Sequence, residues 1–311
     1  MMGTGPFAVP SFRGLLQTHH QVVLLVTSPV RDPAAPTSPM RHVALEHGIP
    51  IFDPASVNTP DARTRLLATD ADLYVVCDYG QILSAETLAT ARLGGINLHA
   101  SLLPKYRGAA PINWAIYDGE TVTGVSVIHM TPRIDAGPVI AQGELAIDPE
   151  ETAGQLEARL AEHGAWFIRR TIDSLEAGML EALPQDPALA SKAPRLKRND
   201  GQVDWTRPAK AIKNQIRAFD PWPKTFTYWH RPTGKPLRLI LEQMSVEEGV
   251  ATAAAPGTVV EADKDRLTIA TSEGIAVIHQ LQPAGKKLLR IREFLNGHRV
   301  RPGDRFGPEI A

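Results

Sequence analysis

Two short runs of almost unbroken apolar residues, "QVVLLVT" (21–27) and "DLYVVC" (72–77), restrict the fold more than any other feature of this chain. A strand covered on one face alternates apolar and polar residues; a strand covered on both faces does not. These two runs therefore belong inside a sheet with helices on either side. Two more apolar runs follow, "GINLH" (95–99) and "TGVSVIHM" (123–130), and helix-like segments lie near 41–47, 61–68, 85–92 and 111–118. Strands alternating with helices predict an α/β fold with a doubly wound, mostly parallel sheet. Residues 151–178 read as one long amphipathic helix, with Thr152 as N-cap, Gln155 three residues on as in a capping box, and Gly178 as the stop.

Beyond this helix the pattern changes. Residues 184–208, "PQDPALASKAPRLKRNDGQVDWTRP", are Pro-rich, polar and basic, the composition of a linker. After a helix near 208–219 come five short strands, "KTFTYWH", "LRLILEQM", "GTVVEAD", "RLTIATS" and "IAVIHQL", with turn residues between them. That spacing predicts a small antiparallel barrel. The chain thus divides into residues 1–184, a basic linker 185–207, and a barrel domain 208–311. The formal net charge is −1, yet residues 192–217 carry eight Lys/Arg against two Asp, and residues 286–305 carry seven Lys/Arg against Glu293 and Asp304. Basic segments in a near-neutral chain point to a polyanionic partner, and a barrel with basic edges suits nucleic acid; solvated surface lysines and arginines are the plainer alternative.

The opening "MMGTGPFAVP" has neither a basic n-region nor a signal-peptide core, and no apolar run is long enough to span a membrane. A single cysteine, Cys77, fits the reducing cytoplasm, and no Cys/His cluster has zinc spacing. "GTGPFA" (3–8) is a turn leading into a helix, the kind that follows the first, central strand of a doubly wound sheet. Only Met1 and Met2 precede it, so the first strand is missing and the natural start is expected several residues upstream. The same six residues fit G-x-G-x-x-A, but no acidic residue closes 21–27 to hold a ribose, and Asp32 comes later, so nicotinamide binding is disfavoured.

Chemistry concentrates in "INLHASLLPKYRGAAP" (96–111). Alternate residues of a strand share a face, so Asn97 and His99 point the same way at a strand end, where open α/β sheets bind ligands. An amide donor and an imidazole can converge on the oxygen of a carbonyl that becomes tetrahedral, and the imidazole can pass a proton near neutral pH. Pro104, Gly108 and Pro111 stiffen or shape the loop behind them. In "MTPRIDAGPVI", Asp135 occupies a Pro/Gly loop between two apparent strands, from which its carboxylate could orient His99. Neither an activated Ser nor an activated Cys stands nearby, so the expected chemistry is direct transfer between bound substrates. Taken singly, Asn97 and His99 also fit strand-end packing and Asp135 a turn former.

With these residues in view, "SLLPKYRGAAPI" resembles the signature of the folate-dependent formyltransferases, and "NLH" with the Asp of "RIDAGPVI" resembles that family's Asn-His-Asp set. "MGTGPFAVPSF", "YGQIL", "APRLKRNDGQVDW", "IRAFDPWP", "APGTV" and "LQPAGKK" extend the likeness over essentially the whole chain, and specifically to the methionyl-tRNA formyltransferase branch. The resemblance implies a Rossmann-like formyltransferase fold with a C-terminal OB-like barrel, and transfer of the formyl group of 10-formyltetrahydrofolate to the α-amino group of methionine on initiator tRNA, without a metal. It implies that Asn97 and His99 stabilise the tetrahedral oxygen and that Asp135 helps move the proton. Ser101, Leu102, Leu103 and Pro104 would line the folate site. Arg31, Lys192, Arg195, Lys197, Arg198, Lys286 and Lys287 would meet tRNA phosphates, the partner being initiator Met-tRNA rather than DNA or a membrane. It further implies a cytoplasmic monomer. Relatives carry a longer, basic loop after the second strand, whereas "SPVRDPAAPTSPMRH" (28–42) has only Arg31 before Arg41; Arg31→Ala is therefore expected to weaken tRNA use less than changes at Lys286 and Lys287. A formyltransferase acting on a nucleotide-linked amino sugar is the alternative on the same scaffold.

Overall fold

The computed structural model describes residues 1–30, 32, 37–250 and 252–309. Two compact units emerge: Met1–Ile112 with Val122–Ile147 and Gln155–Arg195, and Asn113–Thr121 with Asp148–Gly154 and Leu196–Ala311. The helices are α1 (Val9–Leu16), α2 (Pro39–Glu46), α3 (Pro60–Leu67), α4 (Ala85–Leu88), α5 (Pro111–Asp118), α6 (Ala153–Glu176), α7 (Ala209–Ala218) and α8 (Ile291–Gly297). Local chemistry sets their ends. Ser38, Thr59 and Ser84 each accept a hydrogen bond from a backbone N–H of the first turn, and Pro39 and Pro60 open α2 and α3. The long helix α6 starts one residue after Thr152, and Gly178 (φ +67°) ends it by a reversal in which Met179 N–H bonds to the Ser174 carbonyl. α4 is shorter than the expected 85–92, because from Leu88 the chain winds down through single turns to Gly94 (φ +67°) and into the next strand.

The first unit holds strands β1 (Leu25–Val26), β2 (Ile51–Phe52), β3 (Tyr74–Cys77), β4 (Gly95–His99), β5 (Arg107–Gly108), β6 (Val122–His129), β7 (Val139–Ala146) and β8 (Lys192–Ala193). β1 pairs with β2 and β3 with β4, both in parallel. Between β1 and β3 lies Met2, bridged in parallel to Val26 and Val76, with Met2 N–H on the Val75 carbonyl and Cys77 N–H on the Met2 carbonyl. β3 is buried along its whole length, as its unbroken apolar sequence requires. The sheet is mostly parallel, as expected, and antiparallel at one side: β6 runs antiparallel to β4, with His99 opposite Ser126, and β7 runs antiparallel to β6. The reason is the path after His99. The chain stays at that end of the sheet, held by the β5–β8 ladder, and re-enters without the return crossover that a parallel neighbour needs.

The second unit carries β9 (Thr225–His230), β10 (Leu237–Glu247), β11 (Val259–Asp263), β12 (Arg266–Ala270), β13 (Ile275–Pro283), β14 (Leu289–Arg290) and β15 (Arg305–Gly307). All five expected strands are present, in the antiparallel order β11-β12-β13-β10-β9, and β15 adds to β9. The sheet curls until Thr258 bridges Arg305, so its two edges meet. Its interior is a continuous cluster that includes Trp205, Ile212, Ile216, Trp229, Leu239, Ile269, Ile278, Phe294 and Phe306. Trp205 is buried there only because its indole N–H reaches the Thr227 hydroxyl at 3.0 Å. None of the described helices is long and apolar enough to cross a membrane.

Candidate active site

The glycines of the opening turn have a structural cause. A Cβ on Gly3 would lie 2.8 Å from the Cys77 carbonyl, and one on Gly5 would lie 1.8 Å from Oδ2 of Asp78. The G-x-G spacing therefore answers to the close passage of the turn over the end of β3. Asp78 (φ +48°) stands at a solvent-reached edge, but protein crowds its carboxylate. Burial pushes its pKa from 3.8 up to about 6, against the opposing pull of the Gly5 N–H. The folded state thus keeps this proton longer than the unfolded chain, and stability contributed by the neutral acid declines as pH rises from about 4 through about 6. Asp78→Asn retains an acceptor for Gly5 N–H and is expected to flatten the melting-temperature curve over that interval and to raise it at pH 8. A curve parallel to the parent's would show that Asp78 is as well solvated in the fold as out of it.

At the end of β4, the three residues expected to work together do meet. Asn97 Nδ2–H donates to Asp135 Oδ1 at 3.3 Å, and His99 Nδ1 faces Asp135 Oδ2 at 3.5 Å. His99 is only 6% exposed, and its Nε2 lies 2.9 Å from the Tyr106 carbonyl, which accepts only, so Nε2 carries the hydrogen. That leaves Nδ1 as the ring nitrogen turned toward the carboxylate. Among the described residues Asn97 makes no other side-chain hydrogen bond, so its second N–H is uncommitted. The site therefore offers one free amide donor, one imidazole and one carboxylate in a largely dry setting, where such groups act most strongly on developing charge.

Backbone geometry holds this set in place. Asp135 sits at φ +48° and Tyr106 at φ +62°, left-handed conformations that non-glycine residues adopt only under constraint. Gly108 N–H donates to Asp135 Oδ2 at 2.9 Å. A Cβ on Gly108 would come within 2.4 Å of the Ala193 carbonyl, and one on Gly137 within 1.7 Å of the His129 carbonyl. Ser101 is fully buried, with its hydroxyl donating to the Lys105 carbonyl at 2.7 Å. Leu103 is buried too, and its carbonyl accepts from Gln142, whereas Leu102 and Pro104 are half-buried.

Three residues at this site escaped sequence reasoning. Tyr106 orients His99 through its carbonyl, which no side-chain pattern reveals. Ser191 accepts from Tyr106 N–H at 2.8 Å, and Gln185 reaches the Asp135 loop. Both lie in the stretch read as a linker, and a polar residue between prolines looks solvated until its partners are known.

Lys192, Arg195, Lys197 and Arg198 are exposed, as are Lys286 and Lys287, and among the described residues none of the six is ion-paired. The rest of the basic stretch is committed elsewhere. Lys213 pairs with Glu150, Arg207 stacks on Tyr117, and Arg217 is buried against the Asp148 and Glu151 carbonyls. Arg31 lies outside the described residues.

The family profile described as formyl transferase matches residues 1–172, and that of the formyl transferase C-terminal domain matches residues 195–299. The chain is 44% identical over 321 residues to a methionyl-tRNA formyltransferase of Rhodopirellula baltica, spanning 98% of this chain and 95% of that protein. It is 39% identical over 310 residues to that of Geobacter sulfurreducens, spanning 98% and 95%. Among solved structures, the N-formyltransferase from Helicobacter canadensis in complex with folinic acid and dTDP-3-aminofucose superposes with a TM-score of 0.67 at 18% identity, over 89% of this chain and 96% of that one. WlaRD, a sugar 3N-formyl transferase, does so with 0.65 at 20% identity, over 92% and 97%. At such identities the two structures speak to the fold.

Proposed function

The chain belongs to the formyl transferase family, and on that premise we propose that it transfers the formyl group of 10-formyltetrahydrofolate to the α-amino group of methionine on initiator methionyl-tRNA. The observation that carries this reading is the convergence of Asn97, His99 and Asp135 at the end of β4, in a chain 44% identical to a methionyl-tRNA formyltransferase across nearly its full length. The sugar-directed alternative draws on solved structures at 16% to 20% identity.

In this mechanism the methionyl amine attacks the formyl carbon and forms a C–N bond. The carbonyl oxygen takes negative charge, which the free N–H of Asn97 stabilises directly and the His99 ring stabilises through the positive charge it holds while it carries the proton. Asp135 and His99 carry the proton from the attacking nitrogen to the departing folate nitrogen as the second C–N bond breaks. No covalent enzyme intermediate arises, because the donor brings an activated carbon and the protein supplies position and charge. The folate lies along Ser101–Pro104. Because Ser101 and Leu103 turn inward, Leu102, Pro104 and the loop backbone are the surfaces that meet it. Lys192, Arg195, Lys197, Arg198, Lys286 and Lys287, with Arg31, contact tRNA phosphates, and the enzyme acts as a cytoplasmic monomer.

Formyl incorporation from 10-formyltetrahydrofolate into Met-charged initiator tRNA, with elongator Met-tRNA alongside, tests the reading; acceptance of a nucleotide-linked amino sugar but neither tRNA would overturn it. For the RNA contacts, Lys286→Ala with Lys287→Ala is expected to raise the KM for tRNA and to lower the slope of log affinity against log salt by about 1 to 2. Arg31→Ala should change both less, and the reverse ranking would move the RNA path toward Arg31.

A further inference from the structure

Gln185 uses its whole hydrogen-bonding capacity on the catalytic loops. Its Nε2 donates to the Asp135 carbonyl at 2.8 Å and to the Gly137 carbonyl at 2.7 Å. Its Oε1 accepts from Arg107 Nε at 3.0 Å and Nη2 at 2.7 Å. The orientation of the amide is not in question, because one end meets only acceptors and the other only donors. Asp135 needs such a brace. Its φ of +48° is a conformation that an L-residue leaves unless neighbours hold it, and Gly137 two residues on is pressed against the His129 carbonyl. Arg107, at the other end of the brace, belongs to β5, next to the Gly108 whose N–H binds the Asp135 carboxylate. The same segment that carries Gln185 continues to Ser191, which fixes Tyr106 and so the imidazole of His99.

We infer that Gln185 is a positioning residue of the transfer reaction: it locks the Asp135 loop to β5, so that the carboxylate stays aligned with Asn97 and His99. This inference rests on the function proposed above. Gln185 touches neither substrate and acts through Asp135, which separates it from the phosphate-binding lysines and arginines a few residues downstream.

The test is a set of four variants, Gln185→Ala, Gln185→Glu, Asp135→Ala and Asp135→Ala with Gln185→Ala, compared with the parent. Gln185→Ala is expected to lower kcat about 10- to 100-fold, as an ångström-scale misplacement does, with KM for both substrates within about threefold. Gln185→Glu keeps the volume and the acceptor for Arg107 but turns an oxygen toward two carbonyls, so it should be no better than alanine. In the double variant the loss should match that of Asp135→Ala alone within about twofold, because a residue that works only through Asp135 has nothing left to align. Hydrogen exchange, which needs no substrate, is expected to speed up at least about tenfold at the amides of 131–137 in both single Gln185 variants, while β6 and β7 keep their protection. A Glu variant with parent activity, multiplicative losses in the double variant, or unchanged exchange in the loop would each overturn the inference. A parent protein inactive on Met-tRNA would fault the proposed function instead, and the exchange measurement would still decide the role of Gln185.

Discussion

His99→Ala is expected to lower kcat for formyl transfer about 10³-fold, with the KM for tRNA and for the folate donor within about threefold. Two losses combine in that figure. In the proposed mechanism the tetrahedral oxygen loses the positive field of the ring, and the proton on its way from the attacking to the departing nitrogen loses a carrier. Neither interaction exists in the ground state to the extent that it does in the transition state, so kcat falls rather than affinity. The ring is buried and bonded to the Tyr106 carbonyl, so a melting curve has to accompany the kinetics. A decrease of less than about tenfold with the melting temperature retained would remove His99 from the chemistry.

Gly108→Ala should rank next in effect. The residue has φ +130°, and an added Cβ would meet the Ala193 carbonyl at 2.4 Å, against backbone that has no rotamer to yield with. Relief requires β5 and β8 to part, at a cost of about 2 to 4 kcal/mol for strain and overpacking together. That corresponds to a melting temperature lower by about 5 to 12 °C for a unit of this size. The N–H that binds Asp135 moves as well, so kcat should fall about 10²-fold. Gly94→Ala is the matched control, because Gly94 has φ +67° but open space around its Cβ position. If both substitutions lowered stability and rate equally, backbone conformation alone would explain Gly108, and the contact with Ala193 would be unimportant.

The parts of this protein that sequence makes legible are those set by local periodicity. β3 is apolar because both its faces are covered, and in β4 two-residue alternation is enough to place Asn97 and His99 together. The five long barrel strands announce themselves in the same way. Topology was less accessible. Whether β6 joins β4 in parallel or antiparallel depends on where the intervening loop is tethered, and that tether is a ladder of two residues more than eighty positions away. β15 is three residues between a Pro-Gly turn and a Gly-Pro end, too short to carry a pattern. Gln185 and Ser191 look like linker residues because, apart from the Arg107 guanidinium, their partners are backbone groups of distant loops, and backbone groups leave no mark in a sequence.

The β5–β8 ladder also sets where a portable catalytic fragment can be cut. A fragment ending at residue 172, the limit of the first family match, would contain Asn97, His99 and Asp135. It would leave Arg107 N–H and Ala110 N–H without the carbonyls of Ser191 and Ala193, and Tyr106 without Ser191 Oγ. Such a fragment would possess the three side chains proposed to act and yet have a frayed wall behind them. Anyone wishing to graft this chemistry onto a different RNA-recognition module should carry the chain through to Arg195, where the first compact unit ends. The boundary of the machine is drawn by its last supporting strand, which begins 16 residues beyond the last regular helix of that unit.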